Sequence, residues 1–425
     1  MEQLEWTVNA YNLSFAVMLM TAAALGDRFG RRRMFVAGLG LFSAASAACA
    51  ISPTVGWLIA ARAVQGTGAA FVMPLAMALL TAAYPPELRG KALGIFSGLT
   101  GLAVLSGPVV GGAVAQGIAW QWIFWINVPI GVLAMPIVLA RIQESFGPRT
   151  PLDVPGLALV TGGALGVVWG LVRGNSAGWG SLEVVAALAI GVLLAVAFVA
   201  WELRAREPML PMRFFRSSAF SAGNAANLLS FASLFGALFF FAQFLQTTHG
   251  YKPLDAGLRL LPWTATLFIV APIAGSLVNR LGERPLMVGG LLLQAVGMAW
   301  IALIATPHVA YAALVAPLIV AGIGISMAMP ATQNSVMNSV AASEIGKASG
   351  AFQMLRQLGG VFGIAILAAV FARAGSYASA QAFSDGFTRA IGVSAALSLL
   401  GAVAGIALPG RRAVAPVRIE AEAAA

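Results

Sequence analysis

Arg62 lies about seven residues into an apolar run over 56–82. A charge in the middle of a helix in lipid costs roughly 2.5–3.5 kcal/mol on insertion scales. The side chain therefore either snorkels to the boundary or sits in a cavity, where it would tune a neighbouring carboxylate as proton coupling needs. Gln65 and Gly66 follow it at helical spacing. A second group is Asp27-Arg28-Phe29-Gly30-Arg31-Arg32-Arg33, which ends one apolar run and starts the next. Gly30 can take the positive φ of a tight turn. Asp27 is an anion at a helix C-terminus, disfavoured by the dipole, so it requires an arginine or a helix N-terminus as partner. Such a bond, broken and re-formed, would be a conformational latch; a plain basic loop is the alternative. Gly107-Pro108 should kink its helix, and Gly111 and Gly112 should let a facing helix approach closely.

Other candidates are amides and one more arginine: Asn12, Asn127, Asn224, Asn227, Gln243, Gln246, Gln333, Asn334, Arg356 and Gln357. They either line a cavity or glue helices together. Phe239-Phe240-Phe241 could wall a greasy chamber, but three consecutive residues point all round a helix, so at least one should face lipid. Asp153, Glu183, Glu202, Asp255 and Asp385 all fall near the ends of apolar runs. If the chain moved protons, their carrier would be an end residue such as Asp27 or would come from elsewhere. Cys49 is the single cysteine, and His249 and His308 stand far apart in short connections. No metal site, cofactor or enzymatic constellation is expected.

The elements that must carry these residues are long. Of 425 residues 60% are hydrophobic and 9% charged, far below the roughly 25% charge of soluble domains. Lipid must be the main solvent. A spanning helix needs about 20 apolar residues, and thirteen runs qualify: 5–26, 34–52, 56–82, 91–116, 121–141, 153–173, 181–203, 218–246, 254–279, 285–306, 308–336, 346–373 and 385–408. The runs are too long and too unalternating for strands. The first opens on Glu2 and Glu5 instead of a basic stretch, unlike a signal peptide. The net charge of +10 does not indicate nucleic acid, because basic residues sit in short clusters between the runs. Eighteen fall in alternate connections, and only Arg173, Lys252 and Arg373 in the others. The positive-inside rule then makes the C-terminus cytoplasmic.

The two halves repeat. Leu25–Arg33 (LGDRFGRRR) matches Leu277–Pro285 (LVNRLGERP), giving a second-half copy of the loop at Asn279, Arg280, Gly282 and Arg284. Gly66–Pro74 matches Gly322–Pro330, and Gly90–Gly94 matches Gly346–Gly350, both at an offset of 256. The run 218–246 finds no first-half counterpart, so the repeat predicts that the sequence begins one helix late. The expected organisation is an N-terminal bundle over 1–141 without its first helix, two inserted helices over 153–203, a six-helix bundle over 218–408 and a cytoplasmic tail over 409–425. Internal repeats around a midplane site are the plan of secondary transporters.

The loop at Asp27–Arg33 resembles the signature between the second and third helices of the major facilitator superfamily. Arg62–Gly68 is similar to its fourth-helix arginine motif, and Ser106–Gly112 to the fifth-helix motif of antiporters. Trp122–Pro129, Tyr251–Pro262 and Arg356–Gly360 resemble the fourteen-spanner drug:proton antiporters of the EmrB/QacA type. The resemblance implies an all-α membrane protein of two pseudo-symmetric bundles plus two extra central helices. It implies export of hydrophobic or amphipathic compounds against protons by alternating access, in the bacterial inner membrane, with the lipid bilayer, substrate and protons as partners. A periplasmic adaptor protein is left open as a further partner. The chain departs from the pattern at Ala23, Asn279 and Gln121, where the family usually has glycine, aspartate and arginine. A uniporter or importer of a polar metabolite, and a transport-inactive truncated form, remain alternatives.

Overall fold

The computed structural model describes residues 2–84, 96, 99, 103, 106–107, 109–147, 152–341 and 344–409. Among them there is no strand, and twelve helices are long and apolar enough to cross a membrane. They are α1 (Glu2–Phe29), α2 (Arg31–Ala50), α3 (Val55–Ala83), α4 in two pieces (Trp122–Trp125 and Asn127–Arg141), α5 (Val154–Ala177), α6 (Leu182–Glu202) and α7 (Ser218–Thr247). After them come α8 in three pieces (Pro253–Arg259, Leu261–Thr264, Thr266–Leu281), α9 (Glu283–Ile304), α10 (Tyr311–Met337), α11 (Ile345–Ala374) and α12 (Ala380–Ile406). The thirteenth expected run, 91–116, lies largely outside the described residues; 109–117 is helical.

Local chemistry sets the helix starts. Thr54, Asp153, Ser181, Ser217 and Ser379 each cap a helix, their side-chain oxygens accepting from the backbone N–H three residues on. These are the residue types whose short oxygens satisfy the orphan first-turn donors. Two repeat-related turns are set by glycine: Gly30 between α1 and α2 has φ 107°, and Gly282 between α8 and α9 has φ 87°. Only glycine adopts that region without strain.

Packing follows the small residues. α3 lies between α1 and α2, and α10 packs on α9 and α8. α7 runs against both α11 and α12. There an added Cβ at Gly363 would overlap the backbone of Ala232, and one at Gly359 the carbonyl of Leu228. α1 meets α11, and α5 touches both. α5 and α6 pack chiefly on each other: a Cβ on Gly166 would come within 2.8 Å of Gly191 Cα, and one on Gly191 within 2.6 Å of Val167 N.

The largest core is aromatic. Phe240, Phe241, Phe244, Trp263, Phe371, Phe383 and Phe387 are all buried, with Phe244 stacked on Phe387 at 4.3 Å and Phe240 on Phe371 at 5.0 Å. Phe240 and Phe241 are fully buried and Phe239 is half-buried, because α7 is surrounded by helices. Glu202, near its helix end as expected, is nevertheless buried. The connection to α7 folds over it, Leu210 N donating to Glu202 Oε2 at 3.0 Å. Asp153 ties the same corner, accepting from Trp201 Nε1 at 2.8 Å.

Candidate translocation site

Arg62 projects from α3 toward α1. Its Nε donates to the Thr7 carbonyl at 2.9 Å, and its Nη1 to Gln65 Oε1 at 2.6 Å. Gln65 Nε2 in turn donates to Ser46 Oγ of α2 at 2.5 Å, and the Cys49 thiol lies 3.9 Å from Gln65 Oε1. The guanidinium sits over the Tyr11 ring at 4.2 Å and near the Phe124 ring at 5.7 Å. One turn of α3 thus connects α1, α2 and α4. Glycine makes this possible. A Cβ on Gly66 would overlap Ser14 Oγ and the Tyr11 carbonyl of α1, and one on Gly68 would come within 2.6 Å of Phe42 N of α2. The Arg-x-x-Gln-Gly-x-Gly spacing therefore encodes one polar relay and two close helix contacts.

The α1 face turned away from Thr7 and Tyr11 is polar. Glu5, Asn9 and Asn12, spaced i, i+4, i+7 and so on one face, are all buried. Neither amide atom of Asn9 has a hydrogen-bond partner among the described residues. A buried amide left unbonded is expensive, so Asn9 offers a donor and an acceptor to a guest. On the opposite wall Tyr377, in the connection between α11 and α12, donates to Gln243 Oε1 of α7. Burial, and then the nearby Glu5 carboxylate, push the Tyr377 hydroxyl up from its ordinary 10.0 to about 12, which keeps it a proton donor. Glu5, Asn9, Tyr11 and Tyr377 were not singled out from sequence. The recurrence of Glu5, Asn9 and Asn12 at helical spacing was the available signal.

The other candidates divide. Arg356 of α11 lies over the Phe231 ring of α7 at 4.2 Å. Asn227 donates across to the Phe352 carbonyl at 2.9 Å, and Asn224 to the Phe220 carbonyl of its own helix. Gln357 and Asn334 are half-buried. Gln333 and Gln246 are exposed, and Gln246 bonds back to the Ala242 carbonyl of its own helix. Asn127 does the same to the Ile123 carbonyl at 3.4 Å.

In the loop, Asp27 finds its cation: Arg31 Nε lies 2.7 Å from Oδ1. Arg28 rests on the Phe29 ring. Arg32 donates through Nη1 to the Leu139 and Ile142 carbonyls of α4 and the residues after it. The partner missed from sequence is Glu144, 112 residues from Arg32, whose carboxylate accepts from Arg32 N at 2.8 Å and Arg33 N at 3.2 Å. It occupies the N-terminus of α2, where an anion is favoured. In the second-half copy Arg284 is exposed, and Glu283 accepts from Asn338 at 3.3 Å. The side chain of Asn279, like Pro108, lies outside the described residues, and Arg280 is exposed. A Cβ on Gly112 would stand 2.5 Å from the Pro253 carbonyl of α8. Gly107 and Gly111 have nothing within 4 Å among the described residues.

Residues 1–364 match the family described as Major Facilitator Superfamily. The chain belongs to the major facilitator superfamily. Similar curated proteins include a tetracenomycin C resistance and export protein of Streptomyces glaucescens, 36% identical over 87% of this chain and 69% of that one. The methylenomycin A resistance protein of Streptomyces coelicolor is 33% identical over 96% and 86%. The multidrug transporter protein MdtP of Bacillus subtilis is 31% identical over 88% and 70%. Among solved structures, a peptide transporter POT with bound sulfate superposes with a TM-score of 0.68 over 96% of this chain and 85% of that one, at 16% identity. That likeness concerns the fold. This superfamily member is a multi-pass membrane transporter.

Proposed function

We propose that this transporter exports amphipathic or hydrophobic compounds in exchange for protons, by rocking an N-terminal bundle (1–141) against a C-terminal one (218–408). The inserted pair over 153–203 joins them, and the tail over 409–425 is cytoplasmic, in a bacterial inner membrane. The relatives named for antibiotic resistance and export favour outward transport of drug-like molecules. The fourteen-spanner drug:proton subfamily suits the motifs and the central pair. The observation that carries the proton coupling is the half-buried Arg62 held against Thr7 and Tyr11 of α1, a helix whose other face buries the carboxylate of Glu5. A carboxylate near a guanidinium exchanges its proton according to how far the two are apart, so helix movement can be converted into protonation. Asp27, Arg31, Arg32 and Glu144 supply the latch that locks one arrangement; Gly282 marks its counterpart.

The test is transport in proteoliposomes, with an amphipathic cationic dye inside and an imposed pH gradient. Acid-driven dye movement, abolished by collapsing the gradient, supports antiport. Dye movement indifferent to the gradient would refute it.

A further inference from the structure

We propose that Asp153 and Glu202, at the base of the α5–α6 hairpin, share one bound proton, and that this proton ties the connection to α7, and through it α11, onto the hairpin.

The site is the corner where α5 begins and α6 ends. Glu202 is 3% exposed. Its Oε2 accepts from Leu210 N at 3.0 Å, while its Oε1 is buried with no hydrogen-bond partner among the described residues. Asp153 is already engaged as an acceptor. Its Oδ1 takes Gly156 N and Trp201 Nε1, both at 2.8 Å, and its Oδ2 takes Met209 N at 3.5 Å. The orphan oxygen of Glu202 points at this group. A Cβ on Gly156 would overlap Asp153 Oδ2 and stand 2.9 Å from Glu202 Oε1, and the two carboxyls are within hydrogen-bond reach. Two acceptors cannot bond without a hydrogen between them, and two buried like charges repel. One proton on Glu202 Oε1, donated to Asp153, satisfies both.

The charged groups around the corner do not supply that hydrogen. Lys347, at the start of α11, directs its Nζ to the Pro208 carbonyl at 3.5 Å. Arg204, Arg206 and Glu207 on the connection are exposed, and Arg213 pairs with Glu344. The remaining charges of α5 and α6, Arg173 and Glu183, pair with each other at the far end of the hairpin.

The tie is mechanical. Asp153 and Glu202 hold the backbone N–H groups of Met209 and Leu210, two consecutive residues of the connection. The Leu210 side chain shares one buried core with Ala348, Ala351 and Phe352 of α11, and Lys347 grips the same connection at Pro208. On deprotonation the O–H bond at Oε1 breaks and the proton leaves to water. Two anions then face each other, and the corner opens, freeing the connection and the start of α11.

The test reads amide exchange and infrared absorption of the full chain in lipid nanodiscs. Neither measures transport, so its failure and that of the efflux reading are separate. Protection of the Met209 and Leu210 amides, corrected for the intrinsic pH dependence of exchange, should fall about tenfold per pH unit once the pair titrates. That fall belongs within the range known for buried carboxyls, up to about pH 9. Infrared difference spectra over the same range should lose one protonated-carboxyl C=O band. Glu202→Gln carries a permanent donor at this position, so it should keep the protection flat and remove the band. Asp153→Asn, which offers a donor from the other side, should do the same. Flat protection in the unaltered protein, difference spectra without a carboxyl band, or a Glu202→Gln profile that superposes on the original would each overturn the shared proton.

Discussion

Arg62 Nε donates to the main-chain carbonyl of Thr7 at 2.9 Å, so the side chain most costly to bury is anchored to backbone as well as to another side chain. A backbone acceptor keeps its place whatever the protonation of its neighbours. The guanidinium is thereby fixed to α1, while its second bond, to Gln65, couples it to α2.

Replacing Arg62 with Lys removes the fork that reaches Thr7 and Gln65 at once. Arg62→Lys and Arg62→Ala should both reach the membrane, and both should lose gradient-driven dye transport at least tenfold. Coupled transport retained by Arg62→Ala would eliminate this residue from the coupling machinery.

Glu5 is the buried carboxylate on the same helix face as Asn9 and Asn12. Glu5→Gln should leave dye binding measurable while flattening the pH dependence of transport, and Glu5→Asp should restore part of it. A Glu5→Gln profile superposing on the original would assign proton carriage elsewhere.

Tyr377 should not contribute a step to that profile. With its hydroxyl pushed up to about 12, it is neutral and donating in the folded protein throughout the working range. The folded state holds this proton more tightly than the unfolded chain. Stability is therefore unaffected by this group below its ordinary value of 10.0 and falls as pH rises from there to about 12. Tyr377→Phe should abolish that alkaline decline in thermal unfolding curves.

Glu144 serves the N-terminus of α2, so Glu144→Ala strips two first-turn donors of their acceptor at once. By analogy with lost caps, a loss of about 1–2 kcal/mol is expected, read as a lower melting temperature in detergent. Glu144→Gln, which keeps an acceptor oxygen, should lose less.

Gly66→Val should be the most damaging single change in α3, since even a Cβ overlaps Ser14 Oγ and the Tyr11 carbonyl. Overpacking of this kind costs roughly 1–3 kcal/mol. Reduced membrane yield with α1 cross-linkable to α3 only in the original protein is the expected outcome.

What the sequence made legible was governed by short-range rules. Gly30 and Gly282 occupy turns that only glycine tolerates, and their 252-residue repeat was visible because the backbone demanded it. The Arg62–Gly68 segment was readable for the same reason: its glycines sit where helices nearly touch. Glu144 was not readable, because its role depends on a connection 112 residues away folding onto the start of α2. Glu5 sat in the first turn of α1, where a carboxylate reads as a flank, and only the opposing wall buries it. Which of Phe239–Phe241 would be enclosed was not readable, because apolar residues all round a helix describe a lipid-facing span and a fully enclosed one equally well.

The glycine-zipped α5–α6 hairpin has a consequence for how such a chain could be lengthened. Two crossings leave parity unchanged: whatever follows emerges on the side it would have occupied without them. A single added span would have turned every later connection, with its arginines, to the opposite face. A hairpin that satisfies its own contacts is the smallest module that can be spliced between two halves without inverting the second.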